Sequence, residues 1–218
     1  VASLPRRPSL FSFLAASMLY RDALNGFYFF GGIFAAGVLG WSVTEIGVFG
    51  ILAVITSAVF AWIGGQADSR FGPKPVIVVC LLVLVALATT VVFLSRGSVF
   101  GLPVPPGSAL PDIAFYVVGA GIGAAGGALQ SASRSMMCRQ GSPQQMTEAF
   151  GLYALAGKAT AFLAPLLVGV VTDATGSQQA GIVPLIGLFL AGLILLVWTK
   201  PDGARDEWFL PPGSQPSR

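Results

Sequence analysis

The chain has 218 residues, 12 basic and 9 acidic side chains, a formal charge of +3 and no histidine. Only 10% of its residues are charged and 55% are hydrophobic, with a mean hydropathy of +0.80. A water-soluble domain usually carries about a quarter charged residues, so this composition excludes one and leaves an integral membrane protein, whose small scattered charge gives no argument for nucleic acid.

The first stretch, "VASLPRRPSL", is basic, and no small-residue cleavage site closes a short apolar run after it, so it reads as a cytoplasmic linker over 1–9 and not as a signal peptide. Because the chain begins with Val, we expect it to be a portion of a longer protein. Six apolar segments then follow, each long enough to cross about 30 Å of hydrocarbon at roughly 1.5 Å per residue. They run approximately over 10–40, 43–65, 74–95, 112–138, 145–171 and 179–199. The fold class expected is all-α and polytopic.

The first span holds two ionisable residues inside oil-like sequence, "LYRDALNGF". The apolar run after Asn25 is too short to cross alone, so the helix extends back through Arg21 and Asp22. Each is expected to face a cavity or a partner helix, because lipid exposure costs roughly 3 kcal/mol or more per charge. Consecutive residues point about 100° apart, so the two need not pair with each other. Asn25, three residues after Asp22, is expected to share its face.

Ser42 and Glu45 form a capping box that opens the second span. Between the second and third spans, "GGQADSRFGPKP" reads as a short cytoplasmic turn. In it Gly72 supplies backbone freedom, and Arg70 and Lys74 hold the inside orientation. "RGSVFGLPVPPGSALPD" is too rich in Pro and Gly for a helix.

On the fourth span Gly119, Gly123, Gly127, Ser131 and Ser135 recur every four residues, beside a row of Ala120, Ala124, Ala128 and Ala132. Small residues at this spacing let another helix come close in lipid. Gln130, and Arg134 one turn before the end of this helix, complete its polar set. Glu148 begins the fifth span, and an Arg134–Glu148 pair would close the cytoplasmic mouth. "GSPQQ" reads as a second capping box, with Ser142 as cap, Pro143 at the first helical position and Gln145 as the reciprocal partner.

Lys158 lies near the centre of the fifth span, too far from either end to reach water easily. An ionisable residue at that depth reads as functional, binding a carboxylate of a solute or of another helix. Pro165 is expected to kink this helix and free a carbonyl. The tail over 200–218 is polar and Pro-rich and is expected to be disordered.

The basic residues fall on one side (Arg6, Arg7, Arg70, Lys74, Arg134, Arg139, Lys200, Arg205, Arg218), and the opposite loops hold only Arg96. Both ends are therefore expected in the cytoplasm, in a bacterial inner (plasma) membrane. Cys80 and Cys138 have no metal-ligand spacing and histidine is absent, so no metal or cofactor is expected. No nucleotide-binding loop occurs. Without a His, Ser–His or paired-carboxylate arrangement, an enzyme is not expected either.

The turn "GGQADSRFGPKP" resembles the major facilitator superfamily, whose loop between the second and third helices of each half reads Gly-x-x-x-Asp-Arg-x-Gly-Arg-Lys. Gly65, Arg70, Gly72 and Lys74 match; Ser69 stands at the aspartate place with Asp68 one residue earlier, and Pro73 replaces an arginine. The resemblance implies a loop that gates conformational change. "GGALQSASRSMMCRQGSPQQMTEAFGLYALAGKATAFLAPLLVGVVTDATGSQQAGI", with "LYRDALNGFYFFGGIFAAGVLG", is similar to the vacuole-effluxer branch of that superfamily, related to autophagy-linked amino-acid exporters of fungal vacuoles. It implies a six-helix C-terminal half, a three-plus-three inverted repeat, whose partner is an N-terminal six-helix half upstream in the same polypeptide or in a separate chain. The implied activity is carriage of a small organic solute, such as an amino acid, by alternating access, with Arg21, Asp22, Asn25, Gln130 and Lys158 along the solute or proton path. The alternative is a facilitator-like assembly or cofactor-delivery scaffold that docks through helix four and transports nothing.

Overall fold

The computed structural model describes residues 8–141 and 146–201. The expected cap at Ser142, Pro143 and Gln145, the Arg6–Arg7 pair and the tail beyond residue 201 lie outside the described residues. Seven α-helices follow in order: α1 (Pro8–Phe34), α2 (Val43–Phe71), α3 (Pro73–Val92), α4 (Leu110–Gln140), α5 (Met146–Ala159), α6 (Leu163–Thr175) and α7 (Gln178–Val197). They make six segments long and apolar enough to cross a membrane, the fifth being α5 and α6 together. Many large apolar side chains are left exposed, among them Phe29, Val54, Trp62, Val117 and Val170, as befits helices whose solvent is lipid.

α1 closes in one π turn, Ala35–Leu39, which ends on Gly40 in the left-handed region at φ 71°. The capping box of α2 is formed: the Glu45 N–H donates to Ser42 Oγ, and the Ser42 N–H donates to the Glu45 carboxylate at 2.7 Å. A short hairpin, β1 (Ser98–Val99) antiparallel to β2 (Leu102–Pro103), follows α3. At this end Asp112 accepts from Trp41 Nε1 at 2.6 Å and pairs with Arg96. The Trp41 ring stacks on Tyr116 with centroids 4.4 Å apart, tying the α1–α2 connection to α4.

α2 packs most extensively on α4, and α1 and α4 are the most buried spans. The glycine row predicted from sequence lies at that seam. A Cβ on Gly119 would strike the Phe49 ring, one on Gly123 the Ala53 carbonyl, and one on Gly127 the Ser57 carbonyl. Ser131 continues the row opposite Gly65. Close backbone approach replaces the hydrophobic drive here, as helix packing in lipid requires.

The second helix runs beyond the expected stop at 65. Gly64 and Gly65 sit inside α2, and a Cβ on Gly64 would lie 2.8 Å from Ala128 Cα. The glycine there admits α4 and does not end the helix. The connection to α3 shrinks to Gly72, whose φ of 84° and ψ of 161° suit glycine alone.

At the opposite end from the hairpin, polar side chains lock the helix termini together. Ser9 Oγ donates to Gln140 Oε1 at 2.8 Å, Gln140 Nε2 to the Lys200 carbonyl at 2.7 Å, and the Lys200 N–H back to Ser9 Oγ at 2.9 Å. Ser12 Oγ donates to the Leu195 carbonyl, and Lys74 Nζ to the Thr199 carbonyl at 2.7 Å. The last carbonyls of a helix have no partner within it; of those of α7, Leu195 finds one in Ser12 of α1 and Val197 one in Lys74 of α3.

Candidate functional site

The fifth span is interrupted within the membrane. α5 stops at Ala159, residues 160–162 form a turn in which the Leu163 N–H reaches the Thr160 carbonyl at 2.8 Å, and α6 begins at Leu163. The kink expected at Pro165 is thus a full break one turn earlier. Pro165 falls in the first turn of α6, where its missing N–H costs least.

The break is held by Arg21 and Asp22, which reach in different directions. The Ala164 N–H donates to Asp22 Oδ2 at 2.7 Å, so a carboxylate from α1 caps the first turn of α6. A negative charge suits a helix N-terminus. Asp22 is 1% exposed, and among the described residues its Oδ1 has no hydrogen-bond partner. One turn later a Cβ on Gly26 would lie 2.9 Å from that of Ala164, so this glycine is what lets α6 come near enough. Arg21 grips the other arm. Its Nη1 donates to the Tyr153 carbonyl at 3.0 Å, and its guanidinium carbon lies 4.2 Å from the centre of the Tyr153 ring. A Cβ on Gly157 would come within 2.7 Å of the guanidinium. α1 therefore holds α5 through a guanidinium and α6 through a carboxyl oxygen, on neighbouring residues.

Lys158 stands in the last turn of α5, where a cation complements the negative end of the helix dipole. Its side chain is exposed, on the same face as Gly151, Ala154, Leu155 and Phe162. Asn25 is exposed while Asp22 is buried, so the two do not share an environment as the spacing implied. Gln130 belongs to another place: an open hollow of about 710 Å³ between α1, α2 and α4, whose other polar groups are Tyr28 and Ser57 and whose walls include Phe27, Phe29 and Phe49. Arg134 and Glu148 are both exposed, at the end of α4 and in the first turn of α5.

In the facilitator-like turn, Asp68 lies in the last turn of α2, 8% exposed, with Arg139 Nη2 at 3.9 Å from its Oδ1. That separation is an ion pair without a hydrogen bond. The Gly72 N–H closes on the Asp68 carbonyl at 2.8 Å, Arg70 is exposed, and Lys74 is the α7 contact already described. Sequence reading had missed Tyr153 and Gly157 as the seat of Arg21, Ala164 as the partner of Asp22, and Tyr28 and Ser57 beside Gln130. Only Gly157, a glycine one residue before an intramembrane lysine, carried a local signal.

The sequence of this site has relatives. The family model described as "Vacuole effluxer Atg22 like" matches residues 1–208. The uncharacterized MFS-type transporter YxiO of Bacillus subtilis (strain 168) is 22% identical over 198 residues, covering 91% of this chain and 42% of its own length. Autophagy-related protein 22 of Cryptococcus neoformans var. neoformans serotype D (strain JEC21) is 26% identical over 203 residues, covering 92% and 35%. Its namesake in Coccidioides immitis (strain RS) is 30% identical over 191 residues, covering 84% and 30%. The chain spans well under half the length of these curated relatives.

Proposed function

The chain belongs to the Atg22-like vacuole-effluxer family, and from that membership we propose that it forms part of a membrane carrier for a small organic solute, amino acids being the class to try first. Alternating access would be supplied together with a further six-helix unit. That unit would cover the faces of α2 and the fifth span, the two spans least buried within this chain. The basic residues gathered at the ends of α2, α4 and α7 support cytoplasmic placement of both ends.

The observation that carries the reading is Lys158 at the interruption of the fifth span. A discontinuous helix with opposite dipole ends meeting inside the membrane is an arrangement carriers use to hold charged solutes and coupling ions. An exposed ammonium there, beside the Arg21–Asp22 clamp, offers an anion-binding group that lipid would not tolerate. Asp22, half satisfied and buried, is the group to examine for proton coupling, and Arg134 and Glu148 for closure of the cytoplasmic mouth. Lys158→Ala in the full-length protein, reconstituted into proteoliposomes, should abolish flux of a candidate solute while expression and melting temperature hold. Undiminished flux removes Lys158 from the mechanism. No observation favours the scaffold reading, because the glycine row of α4 that would have been its docking face is covered by α2.

A further inference from the structure

A second polar corner lies at the hairpin end of the bundle, where α1, α6 and α7 line an open hollow of about 240 Å³. Its walls are apolar, Phe30, Phe34 and Ile182 among them, and the polar side chains lining it are Thr172, Asp173 and Gln178. Each has a feature that ordinary packing does not explain. Asp173, an exposed residue, falls in the last turn of α6, at the negative end of the helix dipole, where a carboxylate is disfavoured. Among the described residues it has no ion-pair partner, and Arg96, the basic residue of this end, is taken by Asp112.

Gln178 Oε1 is buried without a hydrogen-bond partner among the described residues, its amide pressed against Gly37 where the π turn widens α1. Buried polar atoms left unpaired are rare, and an ion is one of the things that pairs them. Thr172 completes the set. Thr56, Thr89, Thr90 and Thr175 each return their hydroxyl to the carbonyl four residues back. Among the described residues the Thr172 hydroxyl makes no such bond and turns to Gly181 of α7, where an added Cβ would strike it.

We propose that this corner binds a monovalent hard cation of about sodium's size, through the Asp173 carboxylate, the Thr172 hydroxyl and the Gln178 side-chain carbonyl. Oxygen donors without nitrogen or sulfur select hard cations. The single carboxylate sets the charge. Among the described residues no three His, Cys, Asp or Glu side chains gather, and one carboxylate neutralises one charge, whereas calcium sites usually recruit several. The last carbonyls of α6, unpaired within the helix, add to the negative potential of the place. The site stands apart from Lys158 and does not depend on what the solute is.

The test is radiosodium binding to the purified full-length protein in detergent, in choline chloride so that ionic strength is constant. Saturable binding is expected, reduced at least about tenfold in affinity by Asp173→Asn and several-fold by Gln178→Leu. Melting temperatures in choline alone should be unchanged for both. Wild-type binding no greater than that of Asp173→Asn overturns the site. Calcium displacing sodium at lower concentrations than unlabelled sodium does overturns the monovalent class. Because binding is read without any solute, a negative result here leaves the carrier reading where it stands, and a failed Lys158 assay leaves this one.

Discussion

Replacing Asp22 by Ala tests whether the break in the fifth span is held from α1. The substitution removes the acceptor of the Ala164 N–H, a contact of 2.7 Å to a carboxylate that is 1% exposed. A buried donor left unpaired costs about 1–3 kcal/mol, and the lost charge at the first turn of α6 adds about 0.3–1 kcal/mol. A local destabilisation of about 2 kcal/mol is a reasonable centre, and it corresponds to about a thirtyfold rise in the population of the opened turn. The effect should be local, since opening need not unfold the bundle.

Hydrogen–deuterium exchange followed by mass spectrometry reads it directly. Peptides covering residues 160–168 should exchange about thirtyfold faster in Asp22→Ala, while peptides from α3 stay at wild-type rates. Asp22→Asn keeps an acceptor oxygen, so it should lose only the charge component and shift exchange by a few-fold. Unchanged exchange over 160–168 in the alanine variant would refute the clamp, and with it the account of why an aspartate stands there.

Other outcomes follow from the packing. Gly127→Ala should destabilise by about 1–3 kcal/mol, because its Cβ meets the Ser57 backbone. Gly151→Ala, with nothing within 4 Å, should be neutral or stabilising by up to about 1 kcal/mol. Thermal melts of the two purified variants decide it, and shifts of the same sign would count against the α2–α4 seam. Lys74→Met should loosen the end of α7 by about 1 kcal/mol, the charged hydrogen bond being partly screened by solvent. Faster exchange confined to residues 195–200 is the expected signature; exchange at wild-type rate there would show that the lysine contributes nothing.

What the sequence made legible was whatever is decided by neighbours along the chain. Ser42 and Glu45 are three residues apart and need only each other, and the fourfold spacing of Gly119, Gly123 and Gly127 announces a close helix without naming it. The break at 160–162 is different. "LAGKATAF" holds good helix formers, and the carboxylate that stabilises an interruption there is 142 residues away. Pro165 pointed to the right neighbourhood and the wrong turn. The stop expected at 65 erred in the opposite direction, because glycine both ends helices and admits partners, and only the position of Ala128 against Gly64 tells which. The ring of Ser9, Gln140 and Lys200 was invisible, since small hydroxyls and an amide inside apolar runs have no period to betray them.

The distance between Asp22 and its partner also bears on how the molecule is made. A ribosome adding about 5–20 residues per second needs roughly 7–30 seconds to travel from the aspartate to Ala164. For that interval the nascent first span carries a carboxylate whose hydrogen-bond donor does not yet exist. During synthesis, then, that acid must be kept wet, kept protonated or sheltered by the insertion machinery, and a cell short of such machinery should lose this protein at its first span.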